Sequence, residues 1–303
     1  MRPIGIAIIG FGKIAADSHV PAIEANDRFK LLATASRSGQ GVSRQFTDWR
    51  KLIREVEELE AVAITTPPGP RMEIAAECAK AGLHVLLEKP PTVTLGEAES
   101  LRAIHPDVTL FATWHARYNP AVLAAADLLA GKRVNSMHIT WHEDVKKWHP
   151  GQKWIWEPGG FGVFDPGINA FSIATAIFPG ALTVKSADLH LPENAQTPIA
   201  VEVQFNGGHS ASLDWRRTEG EEWTIAIERA DGVELRLEKG GAELFVNGER
   251  QACEGVGEYP SIYTRFVDLI DNRQSEMDLA PLRLVADCLL VGRRHRATAV
   301  ESV

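Results

Sequence analysis

The chain has 303 residues, 45% hydrophobic and 24% charged, with a formal net charge of -8, enough for two domains and without the basic footprint that nucleic acid selects. No run approaches the roughly 18 apolar residues of a membrane span, and Met1-Arg2-Pro3-Ile4 leads into a short apolar segment instead of a signal peptide. Cys78, Cys253 and Cys288 are too few and too far apart for a disulfide framework or a Cys-based metal site, so a cytoplasmic protein with a small-molecule partner is expected.

Residues 4–9 are an apolar run followed at once by Gly10-Phe11-Gly12-Lys13-Ile14-Ala15, and 15–25 can continue as a helix. Strand, G-x-G-x-x-A turn and helix in that order describe a dinucleotide-binding unit. Gly10 makes the tight turn, Gly12 lets the backbone approach a pyrophosphate, and Ala15 permits close helix packing; the helix N-terminus attracts the phosphates. The second strand, 30–36, ends in Ser36-Arg37 where an acidic residue would bind the ribose 2'-hydroxyl of NAD. A hydroxyl beside a guanidinium suits a 2'-phosphate, so NADP is favoured over NAD.

Helices over 48–58 and 71–81 then alternate with apolar strands over 61–65 and 84–88. That alternation predicts a doubly wound, Rossmann-type parallel sheet covered on both faces. Thr65-Thr66-Pro67-Pro68 and Glu88-Lys89-Pro90-Pro91 end two of its strands, where this architecture places its ligand crevice. Lys89 would project an ammonium over that crevice, and Thr94 with Glu97 supplies a capping box for the next helix. A strand over 109–113 closes the sheet, and a helix over 119–130 ends near Gly131. The first domain is therefore set at 1–120 and the second at 121–303.

Within the second domain, Trp141, Trp148, Trp154 and Trp156 place four of the eight tryptophans in sixteen residues, interleaved with His142, Glu143, Asp144 and His149. Indole faces against the C–H face of a sugar ring, with carboxylates and imidazoles on its hydroxyls, make a pyranose pocket. No metal is expected: His138 and His142 read as strand residues about 13 Å apart, too far for one ion with ligands at roughly 2 Å. A helix is expected over 167–178 with Asp165 just before it, so that a carboxylate stands at the helix N-terminus. Asp165 and Asn169 share a face if that helix begins early enough. Period-two alternation at 201–205, 211–215, 223–227 and 233–237 predicts an open, mainly antiparallel sheet, half-buried. Helices over 261–272 and 279–296 end the chain.

Three signatures, Gly10 to Ala15, Glu88-Lys89-Pro90, and Gly159-Gly160 with Asp165-Pro166-Gly167-Ile168-Asn169, stand in the order and at the separations of one family. Over essentially its whole length the chain resembles the glucose-fructose oxidoreductase / inositol dehydrogenase (Gfo/Idh/MocA) family. Within it, Trp148-His149-Pro150-Gly151-Gln152, the 154–160 stretch and the 281–287 stretch are similar to the bacterial D-galactose / L-arabinose 1-dehydrogenase group. The resemblance implies oxidation of the C1 hemiacetal of L-arabinose, D-galactose or D-fucose to the aldonolactone, with hydride passing to NADP or NAD. It implies cofactor contacts from Gly10, Phe11, Gly12, Lys13, Ile14, Ser36, Arg37, Thr65, Thr66, Pro67, Glu88 and Lys89. Lys89, Asp165 and Asn169 would be catalytic, and His115, Glu143, Trp148, His149, Trp154, Asp165 and Asn169 would hold the sugar.

Many family members carry a histidine base where this chain has Asn169, an amide that takes no proton; the base role then falls to Asp165 or Lys89. The resemblance also implies a homodimer through the open sheet and a C-terminal tail packed across both domains. Two rival readings are a family enzyme acting on another sugar, a ketone or an imine, and a non-catalytic NADPH-binding sensor.

Overall fold

The computed structural model describes residues 2–104 and 107–300. Contacts divide the chain into two units, Met1–His115 with Val256–Leu279, and Ala116–Gly255 with Ala280–Val303.

In the first unit the apolar runs become β1 (Ile4–Ile9), β2 (Phe29–Ala35), β3 (Arg44–Phe46), β4 (Ala61–Ile64), β5 (His84–Leu87) and β6 (Leu110–Ala112). They form one sheet in the order β3-β2-β1-β4-β5-β6, parallel at every pairing. β1 and β4 are buried at every residue, as strands covered on both faces must be. The helices are α1 (Val20–Glu24), entered through five π-wound residues Ala15–His19, then α2 (Trp49–Glu55), α3 (Arg71–Lys80) and α4 (Leu95–Arg102). Asp48 caps α2 by accepting from the Arg50 N–H, and Thr94 and Glu97 form the expected capping box of α4. The order reverses between β1 and β4, the point at which such sheets open a crevice. Gly10 closes the turn there with φ 98°, and a Cβ on it would lie 2.6 Å from the Thr66 nitrogen.

The second unit contains α5 (Pro120–Leu129), β7 (Val134–His142), α6 (Val145–Trp148) and α7 (Phe164–Ile177). After these come β8 (Val184–Pro192), β9 (Ala200–Phe205), β10 (Ser210–Asp214), β11 (Glu222–Arg229), β12 (Glu234–Glu238), β13 (Glu243–Val246) and β14 (Glu249–Gln251). The remaining elements are α8 (Glu258–Asp271), which belongs to the first unit, and α9 (Ala280–Val291) and β15 (Arg293–Ala297), which belong to the second. Nine strands pair in the order β14-β13-β12-β11-β7-β10-β9-β8-β15, antiparallel except for β7 with β10 and β8 with β15. Alternation sorts the two faces: Met137, Ile139, Trp141, Val203, Phe205 and Leu213 are buried, while His138, Thr140, Glu202 and Ser210 point the other way. α7 covers the apolar face with Phe164, Ile168, Phe171 and Ala174, all fully buried. Gly167 permits the approach, since a Cβ on it would lie 2.5 Å from Leu213.

Two elements depart from expectation. α7 begins at Phe164, three residues early, so Asp165 and Pro166 lie inside its first turn, where a proline needs no N–H partner. The helix expected over 279–296 ends at Val291, and Arg293–Ala297 instead pairs in parallel with β8. Gly292 marks the break: a Cβ there would lie 2.4 Å from the Cys288 carbonyl oxygen and 2.8 Å from Leu189.

In the first unit α8 buries Tyr259, Ile262, Tyr263 and Phe266, with the Phe266 ring stacked on Phe29 at 5.9 Å and on Phe111 at 6.1 Å. Glu276 then extends the sheet edge, exchanging 2.9 Å backbone hydrogen bonds with Leu110 and Ala112. Among the described residues no helix is long and apolar enough to cross a membrane.

Candidate active site

In the first unit the ends of β1, β2 and β4 line a cleft of about 350 Å³. Gly10, Phe11, Gly12, Ser36, Arg37, Thr65, Thr66 and Pro67 share its walls with Ser38, Thr47 and Trp49. A Cβ on Gly12 would meet nothing within 4 Å, which leaves the backbone open to a phosphate. The Thr66 hydroxyl is buried without a hydrogen-bond partner. Arg37 is exposed and has no ion-pair partner among the described residues. An open glycine turn, an unsatisfied hydroxyl and a guanidinium fit a phosphorylated dinucleotide. Two other candidate contacts lie elsewhere: Lys13 pairs with Asp17 on the exposed start of the helix, and Ile14 is 39% exposed.

Glu88 is 3% exposed and tied into a buried network. Its carboxylate accepts from the Tyr259 hydroxyl at 2.7 Å and the Lys89 N–H at 2.9 Å, and faces His19 Nε2 at 3.1 Å. Burial alone would raise the Glu88 pKa, but the His19 hydrogen bond and the charges of His19, His115 and Arg71 outweigh it and hold the carboxyl well below its ordinary range. The Tyr259 hydroxyl is driven far up, first by burial and then by Glu88. His19 Nδ1 lies 2.7 Å from the Tyr263 hydroxyl, across 244 residues of sequence. His115, a candidate sugar contact, sets Nδ1 2.9 Å from Glu258 and stacks on Tyr259. Burial would lower the His115 pKa, yet the Glu258 hydrogen bond and the charges of Glu258 and Glu88 raise it.

The second unit gathers the tryptophan-rich segment around Glu143. Glu143 directly follows β7, two residues beyond Trp141. The pairing of β7 with β10 continues one residue past the end of β7, with Glu143 N–H donating to the Asp214 carbonyl at 2.9 Å, and that brings Trp215 alongside. Trp223 lies opposite Trp141 on β11. Glu143, 3% exposed, accepts from Trp215 Nε1 at 3.1 Å on one oxygen and from Trp223 Nε1 at 2.9 Å on the other. Trp148 tilts against Trp223 at 5.6 Å, while His149 and Trp156 pack on Trp215 at 5.1 and 5.3 Å.

His149 completes the link to α7. Its Nε2 lies 3.4 Å from Asp165 Oδ2, and its Nδ1 lies 3.3 Å from Gln152 Oε1. Gly160 lets this loop fold tightly, since a Cβ there would fall 2.3 Å from the Trp154 carbonyl oxygen. Because α7 starts at Phe164, Asp165 and Asn169 stand one turn apart on one face. The Asn169 Oδ1 and the Trp156 Nε1 are both buried without hydrogen-bond partners, one an acceptor and the other a donor. Glu143, Trp148, His149 and Asp165 are thus joined in one cluster, while Trp154 enters none of these ring pairs. Lys89 and His115 belong to the first unit. Trp215, Trp223, His19, Tyr259 and Tyr263 were not singled out from sequence, because their partners are set by strand pairing and by α8, not by spacing.

The chain is similar to known proteins. A family model described as "Oxidoreductase family, NAD-binding Rossmann fold" matches residues 4–107. Galactose 1-dehydrogenase of Pseudomonas fluorescens is 43% identical over 300 residues, covering 97% of each chain. The crystal structure of D-galactose-1-dehydrogenase from Rhizobium etli matches with a TM-score of 0.93 at 44% identity over 99% of each chain. KijD10, a 3-ketoreductase from Actinomadura kijaniata crystallised with NADP, matches with a TM-score of 0.83 at 17% identity, covering 97% of this chain and 99% of that one; this is a likeness of fold alone.

Proposed function

The chain belongs to the Gfo/Idh/MocA oxidoreductase family, and from that membership we propose that it is an aldose 1-dehydrogenase. Its substrate in this reading is a pyranose of the D-galactose, L-arabinose or D-fucose type, and its cofactor is NADP in preference to NAD. The observation that carries the reading is the 43–44% identity, over nearly the full chain, to two galactose 1-dehydrogenases. The carboxylate and imidazole set among indoles in the second unit supports it, because such a set suits the polar edge and apolar face of a sugar.

The cleft of the first unit would hold the dinucleotide, with Gly12 toward the pyrophosphate and Ser36 and Arg37 toward the 2'-phosphate. Bound there, the nicotinamide supplies the hydride acceptor for C1. The protein manages the proton and the placement. Lys89 donates to O1 and makes its proton easier to lose, and Asp165 accepts or relays that proton. Asn169 orients the C1 end, its unpartnered Oδ1 accepting from a sugar hydroxyl. Glu143, an acceptor-only carboxylate, holds ring hydroxyls together with His149 and His115. Trp148 and Trp154 flank the ring.

Steady-state kinetics on D-galactose, L-arabinose, D-fucose, D-glucose and D-xylose, each with NADP and NAD, test the proposal through the absorbance of reduced nicotinamide. Turnover on the first three with NADP is expected. Cofactor binding without turnover on any sugar would refute it in favour of a sensor. We further assign the polar face of the nine-stranded sheet as a homodimer surface, which sedimentation of the parent and of Thr140→Arg distinguishes: the variant should shift toward monomer.

A further inference from the structure

We propose that Arg71 is a positioning residue that fixes Lys89 by gripping the backbone carbonyls on either side of it. The proposal rests on the reading above in which Lys89 acts on the sugar. Arg71 opens α3 and is only 5% exposed. Its Nη1 donates to the Glu88 carbonyl at 2.5 Å and also to the Pro90 carbonyl, while Nε donates to the Thr66 carbonyl at 2.8 Å, joined there by Nη2.

One planar group thus ties three carbonyls from two strand ends. Two of them flank Lys89, and the third belongs to Thr66 in the wall of the nucleotide cleft. The Lys89 N–H is held in turn by the Glu88 carboxylate, itself anchored to Tyr259. The peptide that launches the Lys89 side chain is therefore held from its N–H and from both neighbouring carbonyls. A guanidinium is the group that can do this, since its N–H donors are fixed in a plane and need no rotation; an ammonium is a point charge that cannot span three acceptors in that geometry. Plain stabilisation explains the residue poorly, because burying a cation carries a desolvation cost that an apolar side chain would avoid, even with the Glu88 carboxylate acting on it.

The test compares the parent, Arg71→Gln, Arg71→Lys, Lys89→Met and the Arg71→Gln/Lys89→Met double variant. For each, kcat and KM for D-galactose, the melting temperature, and the NADP Kd from fluorescence titration of Trp49 in the cleft are measured. We expect Arg71→Gln to lower kcat roughly 100-fold, as a misplaced reacting group does. KM, NADP Kd and the melting temperature should change far less, and in the Lys89→Met background Arg71→Gln should have no further effect on kcat. Arg71→Lys should also lose kcat while folded, and it carries the test if the glutamine variant does not fold. Parental kcat in Arg71→Lys, a loss that tracks only the folded fraction, or losses that multiply in the double variant would overturn the assignment. A Lys89→Met enzyme with parental kcat would instead remove the Lys89 reading, a separate result.

Discussion

Exchanging Glu143 for glutamine keeps the size of the side chain and removes one of its two acceptor oxygens. In the parent, each carboxylate oxygen takes one indole N–H, from Trp215 at 3.1 Å and from Trp223 at 2.9 Å. An amide can serve one of them and must turn its NH2 toward the other, leaving two donors face to face in a site where Glu143 is 3% exposed. A buried donor left without a partner costs about 1–3 kcal/mol. At about 2–4 °C per kcal/mol for a body of this size, Glu143→Gln should lower the melting temperature by roughly 2–12 °C. The cause can be isolated by adding Trp223→Phe, which deletes one donor and lets the glutamine oxygen face Trp215. In that background the glutamine exchange should cost much less. Thermal melts of the four proteins, followed by the near-ultraviolet signal of the tryptophans, complete the double-mutant cycle. Equal costs in both backgrounds, or a shift below about 1 °C, would refute the account of Glu143 as a carboxylate shared by two indoles.

Arg37→Ala should raise KM for NADP by roughly 10- to 100-fold, the worth of a charge-assisted contact, and hardly change KM for NAD; equal effects would end the 2'-phosphate assignment. Asp165→Asn should cut kcat by about 100-fold or more with NADP binding retained, and a rate within about tenfold of the parent would remove Asp165 from proton transfer. The His115 pKa lies above its ordinary 6.5. Its contribution to stability is therefore complete below pH 6.5 and is lost as pH rises through the raised midpoint. Proton NMR should find that midpoint above 6.5 in the parent and lower in Glu258→Gln, where Glu88 alone is left to oppose burial; a parental midpoint below 6.5 would contradict the His115–Glu258 pairing.

Apart from the three-residue β3, the sheet and helices of residues 4–112 were legible in sequence because each carries a local cause. Continuous apolar runs mark β1 and β4, Asp48 and the Thr94/Glu97 pair mark helix starts, and Gly10 marks a turn that nothing larger can make. Four strands of the nine-stranded sheet, β9 to β12, were legible as alternation. The order of the sheet was not, since nothing local in 210–214 says that this strand lies parallel to β7. That pairing is what puts Trp215 beside Glu143, so the tryptophans of the 141–156 segment were visible and their partner was not. Asp165 and Asn169 could be seen as a pair, but the start of α7 could not: Pro166 reads as a boundary and lies instead within the first turn. β15 was hidden for another reason. Four of its five residues are exposed, so it has no apolar period to read, and an arginine-rich segment after an amphipathic helix looks like more helix.

Glu88, Arg71 and Glu143 share a property that bears on what the site is for. Each is a charged side chain that is 3–5% exposed, and each is satisfied by groups remote in sequence or on another strand end: Tyr259 and His19 for Glu88, three carbonyls for Arg71, two indoles for Glu143. Burying such groups costs several kcal/mol of desolvation apiece, and well-packed apolar residues of similar volume usually stabilise a fold as well or better. Stability is therefore a weak explanation for all three. Position is a stronger one, because the donors and acceptors are fixed in direction and lock the segments that carry them. Glu88 and Arg71 lock the backbone around Lys89. Glu143 locks the indoles on which His149 packs, and His149 in turn faces Asp165 at 3.4 Å. The buried charges thus converge, in each unit separately, on the two residues assigned to proton chemistry, and a loss of kcat that outruns the loss of stability is the behaviour that follows from it.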